Sequence, residues 1–226
     1  MSAEAPRIAV ADVFSEASSL VGRHAPSFLI GTGIYAAFSV WADDPDWSWT
    51  GQALMLVAST VLPGMVQYVL FRRAYGETGG GSVAVALAPL IAIALQALIW
   101  IVTTIGFIML VLPGLYLAGR LSAAIGMASV ERAGVVASLA GSWRRTRRSA
   151  WSLVIVQAVL LIPFVALGAA IIAATYANGG AEYDSLEFRT LTNTVLAVVA
   201  MAGWAVAGAV YRLTAPQRDT PEDIFG

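Results

Sequence analysis

One arginine stands inside a stretch that is otherwise almost uncharged. Arg120 follows the Pro113-Gly114 break by seven residues, within the apolar run Leu115–Val130, and so lies on the order of 10 Å into a bilayer at 1.5 Å per residue. A cation at that depth is costly unless it pairs or reaches water. It can face a polar cavity and hold an anionic headgroup or substrate. Alternatively it can hydrogen-bond to carbonyls or to Gln67, Gln96 or Gln157 and lock neighbouring spans together. Glu131 comes 11 residues later, on the same helix face but three turns away, out of reach within one helix. The other concentration of charge is Arg144, Arg145, Arg147 and Arg148. Beside a negative leaflet each basic group contributes roughly 1 kcal/mol of attraction, and the same cluster can act as a positive-inside stop signal ahead of Trp151. Arg120, Glu131, Arg144, Arg145, Arg147 and Arg148 are therefore the candidate lipid or partner contacts.

No other constellation competes with them. The chain has no cysteine and one histidine, His24, which excludes disulfides, thiolate catalysis, Cys-ligated metals and bis-His sites. Gly79-Gly80-Gly81 lacks the Lys-Ser/Thr of a phosphate loop, and no serine has a GxSxG setting. No catalytic, cofactor-binding or metal residue is expected, and no enzyme. A net charge of −1 gives no field for nucleic acid.

These charges must be held by membrane helices. Hydrophobic residues make up 58% of the 226 and charged residues 12%, against roughly 25% charged in globular chains, and the apolar residues come in blocks long enough to cross a bilayer. The expected fold is an all-α polytopic bundle, a single membrane domain over residues 1–226. Its six spans run at about 26–41, 52–71, 83–111, 115–130, 151–176 and 191–211. A tight turn near Leu112–Gly114 joins spans three and four, and Pro63, Pro89 and Pro163 are expected to kink their helices. Residues 8–24 read as an interfacial or cytoplasm-facing helix rather than a cleaved signal. Residues 132–149 read as an amphipathic helix with Val135, Val136, Leu139 and Trp143 on one arc and the four arginines opposite.

Arginine counting gives the sidedness. With the N-terminus inside, Arg7, Arg23, Arg72, Arg73, Arg132, Arg144, Arg145, Arg147, Arg148, Arg212 and Arg218 are cytoplasmic. Only Arg189 is external, beside the acids Asp43, Asp44, Asp46, Glu182, Asp184 and Glu187, so both termini are placed in the cytoplasm. Gly33/Ala37, Gly119/Ala123, Ala166/Ala170 and Gly203/Ala207 are small-xxx-small pairs suited to close helix approach, within the chain or with a partner. Val61-Leu62-Pro63-Gly64 recurs as Val111-Leu112-Pro113-Gly114; it marks either an internal duplication or chance recurrence in a Leu/Val-rich chain.

Three features together carry a family resemblance. They are the segment from Val13-Phe14 to Arg23-His24-Ala25, the stretch Leu112-Pro113-Gly114-Leu115-Tyr116-Leu117-Ala118-Gly119-Arg120 followed by Glu131, and Ser142-Trp143 with Thr146-Arg147 ahead of Trp151. The chain resembles bacterial YciC-like inner-membrane proteins and the membrane domain associated with glycerophosphodiester phosphodiesterases. It departs from their pattern at Gly141, where a basic residue is usual, and at Arg148, where glycine is. The resemblance implies a six-helix body in the bacterial inner membrane; with the chain ending at Gly226, phosphodiesterase activity is not expected of it. The expected role is a non-enzymatic accessory, scaffold or assembly component. Its expected partners are membrane lipid, anionic lipid included, and a membrane protein or a second copy, with no nucleic acid. The alternative is a small transporter or lipid-handling protein with a polar cavity near Arg120.

Overall fold

The computed structural model describes residues 7–43, 47–76, 83–178 and 185–215, with side chains of the fifth span described to residue 173. Asp44, Asp46, Gly79–Gly81, Glu182, Asp184 and Arg218 fall outside these residues. Every described element is helical: α1 Val10–Arg23, α2 Ala25–Ala42, α3 Trp49–Tyr75, α4 Ala88–Met109, α5 Val111–Leu121, α6 Ala124–Val130, α7 Val135–Arg145, α8 Ala150–Asn178 and α9 Leu186–Thr214. Short 3-10 turns precede α4 and α8. Six stretches are long and apolar enough to cross a membrane, namely α2, α3, Val85–Met109, Val111–Val130, Arg147–Ala173 and α9. The chain is a multi-pass all-α membrane protein.

Local chemistry explains the helix starts. Ser48 and Ser185 accept the Gly51 and Phe188 amides at 3.2 Å, satisfying donors that a first turn leaves unpaired. Proline also marks starts rather than breaks. Pro89 falls in the first turn of α4 and is not a mid-span kink. Pro113 lies in the first turn of α5, so the α4–α5 reversal is at Leu110, in extended backbone, and not at Leu112–Gly114. A first-turn proline forgoes an amide that has no intrahelical partner anyway. Pro63, by contrast, is inside α3. The repeated Val-Leu-Pro-Gly word thus occupies two different helix positions.

The core gathers where α1, α6 and the C-terminal half of α9 meet the ends of α3, α4 and α8. Every residue of α6 is buried. Close helix approach there rests on glycine: a Cβ on Gly126 would stand 2.5 Å from the Tyr211 ring, and one on Gly208 2.9 Å from Leu20. Of the predicted small-residue pairs, Gly119/Ala123 is used in this way, with Leu153 of α8 2.9 Å from a Cβ at 119. Gly33 and Gly203 have open space around them, and Ala37, Ala166 and Ala170 are exposed. The N-terminal helix is more than interfacial. Val13, Ala17 and Leu20 are buried, the Ile8 amide donates to Ser149 Oγ at 2.8 Å, and Glu16 bridges Arg23 and Arg212 at 2.9 and 2.7 Å.

The two ends of the bundle carry different polar clusters. Glu16 gathers Arg23 and Arg212 at one end. At the other, Arg189 donates to the Asp43 carbonyl at 3.1 Å and Asn193 to the Asp43 carboxylate at 3.2 Å.

Candidate functional site

Arg120 lies near the C-terminal end of α5, one residue before Leu121 ends that helix. After α6 the chain reverses on Arg132, whose backbone is left-handed (φ 53°), with the Ala133 amide reaching back to the Met127 carbonyl at 3.3 Å. Left-handed backbone at a helix exit is usual for glycine and uncommon for arginine. This reversal folds α7 back across α5 and α6 and sets the site.

The α7 helix is fastened by hydroxyl groups. Ser142 Oγ donates to the Arg120 carbonyl at 2.8 Å, Thr146 Oγ1 shares its proton between the Ser142 carbonyl at 2.7 Å and the Arg120 carbonyl at 3.1 Å, and Ser138 Oγ donates to the Ala133 carbonyl at 3.2 Å. Ser138, Ser142, Thr146 and Ser149 are all buried, at spacings of four, four and three that keep them on one face. The apolar arc divides between the core and the outer surface. Val135 and Leu139 do pack on the core, whereas Val136 is 79% exposed and Trp143 40%. A hydroxyl is short enough for close helix approach and can cap a carbonyl that a bulky apolar side chain would leave unpaired. At Gly141 the site of a Cβ is taken by the Met127 methyl.

The Arg120 side chain is 2% exposed. Its Cζ lies 4.3 Å from the Trp143 ring centroid and 5.8 Å from that of Tyr116, and the two rings meet edge-on at 5.9 Å. Neither glutamine nor carbonyl takes its Nε or Nη1, so the cation is held by aromatic faces instead of the hydrogen bonds expected from Gln67, Gln96 or Gln157. Stacking of this kind is worth about 0.5–2 kcal/mol. The cleft that Trp143 lines with Leu98, Val102, Leu117, Leu121 and Leu139, about 360 Å³, is apolar, and Arg120 is not part of its wall.

The remaining candidates divide. Glu131 and Arg145 form a two-pronged ion pair at 2.7 and 2.9 Å, with both side chains mostly covered. That pair ties the exit of α6 to the end of α7, so Arg145 does not join its neighbours in facing outward. Arg144, Arg147 and Arg148 are exposed, in company with Val136, Trp143 and Trp151, the last 72% exposed. Sequence reasoning missed Trp143, Tyr116, Ser142 and Thr146 as partners of Arg120. The signal available was the buried hydroxyl stripe, which an apolar-only periodicity passes over. Among the described residues, no group of three or more His, Cys, Asp or Glu could hold a metal ion.

No protein-family model, curated protein or solved structure matches this chain.

Proposed function

We propose that this multi-pass membrane protein is a non-enzymatic inner-membrane component, an accessory or scaffold subunit whose α7 face engages anionic lipid headgroups on the cytoplasmic side. The observation that supports this reading most is that α7 and the turn into α8 expose both kinds of side chain, the basic Arg144 and Arg147 and the apolar or indole Val136, Trp143 and Trp151. Apolar side chains and indole rings suit the acyl and carbonyl depth of a leaflet, and guanidinium groups suit its phosphates. The Arg120 stack and the Glu131–Arg145 pair have a different task, fixing the angle at which that surface leaves the bundle. Likeness to YciC-like proteins, carried by the Arg120 and Ser142-Trp143 segments now seen in contact, belongs to the same proposal, as do the bacterial inner membrane and cytoplasmic termini. The exposed small residues Gly33 and Ala37 on α2 and Ala166 and Ala170 on α8 suit a membrane-protein partner or a second copy.

A second reading, lipid handling or transport through Arg120, is favoured by the two buried guanidinium nitrogens that have no partner. The two are separated by what accompanies the protein in native nanodiscs. A scaffold subunit retains protein partners and a shell enriched in anionic lipid that shrinks in Arg144→Gln/Arg147→Gln. A transporter retains one stoichiometric anion that is lost in Arg120→Leu but kept in the double variant. Recovery of the protein alone, in lipid of bulk composition, would refute the scaffold reading.

A further inference from the structure

A groove of about 300 Å³ lies between α2 and α3, away from the α7 surface, and it has a charged end and an apolar body. Ile30 and Ile34 of α2 and Leu62, Met65 and Val69 of α3 form the walls, and Arg73, with Ser27 opposite, closes one end. The α3 contributions recur at helical spacing from Leu62 to Arg73, so the groove extends about 16 Å along that helix. That is half of a hydrocarbon core about 30 Å thick, the depth of one leaflet. Arg73 is exposed, and among the described residues no carboxylate is paired with it, in contrast to Arg23, Arg145 and Arg212. It stands on the same turn as Arg72, near the end of α3, at the end of the bundle where Glu16 gathers its arginines.

We propose that this groove is a binding site for one anionic phospholipid of the Arg73-side leaflet, an acyl chain lying along Ile34 and Met65 and the phosphate meeting Arg73. Length, apolar walls and a single cation at headgroup depth select this occupant over a soluble anion, which would leave the walls unfilled. The lipid is favoured over an apolar peptide too, because a peptide would offer Arg73 no counter-charge. The proposal stands on residues separate from those of the α7 surface, so either can fail alone.

The test uses the full-length protein in nanodiscs containing trace phosphatidylglycerol or phosphatidylcholine with a photoreactive acyl chain, and maps adducts by peptide mass spectrometry. Phosphatidylglycerol should label Ile30–Ile34 and Leu62–Val69 in preference to phosphatidylcholine. Arg73→Gln, at an exposed position, should lower that preference about fivefold, the effect of one basic group near a headgroup. Ile34→Trp, which fills the groove from its exposed side, should remove the labelling by both lipids. Arg144→Gln/Arg147→Gln should leave it intact. Equal labelling by the two lipids, or an unchanged preference in Arg73→Gln, would mean that ordinary boundary lipid fills the groove and would overturn the proposal.

Discussion

Arg120 presents its two ends to the same helix: its carbonyl receives the Ser142 and Thr146 hydroxyls, and its guanidinium carbon lies 4.3 Å from the centre of the Trp143 ring. The stack and the hydrogen bonds together fix α7 against α5 at one angle. Because the cation is buried with two nitrogens unpartnered, the indole face is a principal compensation for its charge.

An asymmetry between two substitutions follows. Trp143→Leu strands a buried cation, whereas Arg120→Leu leaves only an apolar side chain beside a ring, and removing one partner of a buried charge costs more than removing the charge. In detergent, Trp143→Leu should lower the unfolding temperature more than Arg120→Leu. The double variant should recover part of the loss, with a coupling of about 1–2 kcal/mol. Strictly additive losses would mean that the two side chains do not support each other.

The Glu131–Arg145 pair should behave as a lock. Glu131→Gln and Arg145→Gln should each destabilise, and the exchange Glu131→Arg/Arg145→Glu should restore more than half of the loss, because the two-pronged geometry can form in either sense. Thermal unfolding of the four proteins decides it; an exchange no better than the single variants would make the pair incidental.

Glycine positions separate packing from lipid-facing surface. A methyl group at Gly126 would be driven into Tyr211, so Gly126→Ala should cost about 1–3 kcal/mol, the usual range for overpacking a tight interior. Gly33 has nothing within 4 Å of where a Cβ would be, so Gly33→Ala should leave unfolding unchanged. If detergent unfolding shifts equally for both, the α6–α9 contact is not as close as described.

Much of this architecture was legible in the amino-acid order, for identifiable reasons. Span length and hydropathy alone locate six membrane helices, since backbone polar groups in lipid must be satisfied within a helix. Arginine placement correctly groups Arg23 with Arg212 and separates Arg189 from both. Proline was harder to read: Pro113 and Pro89 looked like breaks or kinks, but a first-turn proline and a mid-helix proline have identical local sequence signals until the neighbouring turn is known. The α7 contact was illegible to apolar periodicity because its buried face is made of Ser138, Ser142 and Thr146. That Glu131 would meet Arg145 depended on a left-handed residue at Arg132, a position where nothing in the sequence called for a reversal.

The proposed role of the α7 surface depends on which side of the membrane it faces, and the cysteine-free chain allows that to be measured directly. Ala137 and Glu187 are exposed positions at the α7 surface and at the start of α9. Single cysteines, Ala137→Cys and Glu187→Cys, can be treated with a membrane-impermeant maleimide in intact cells and again after permeabilisation. The arginine distribution and the opposed Glu16 and Asp43 clusters predict that Glu187→Cys reacts in intact cells and Ala137→Cys only after permeabilisation. Reaction of Ala137→Cys in intact cells would place Arg144 and Arg147 on the outer face and contradict the account.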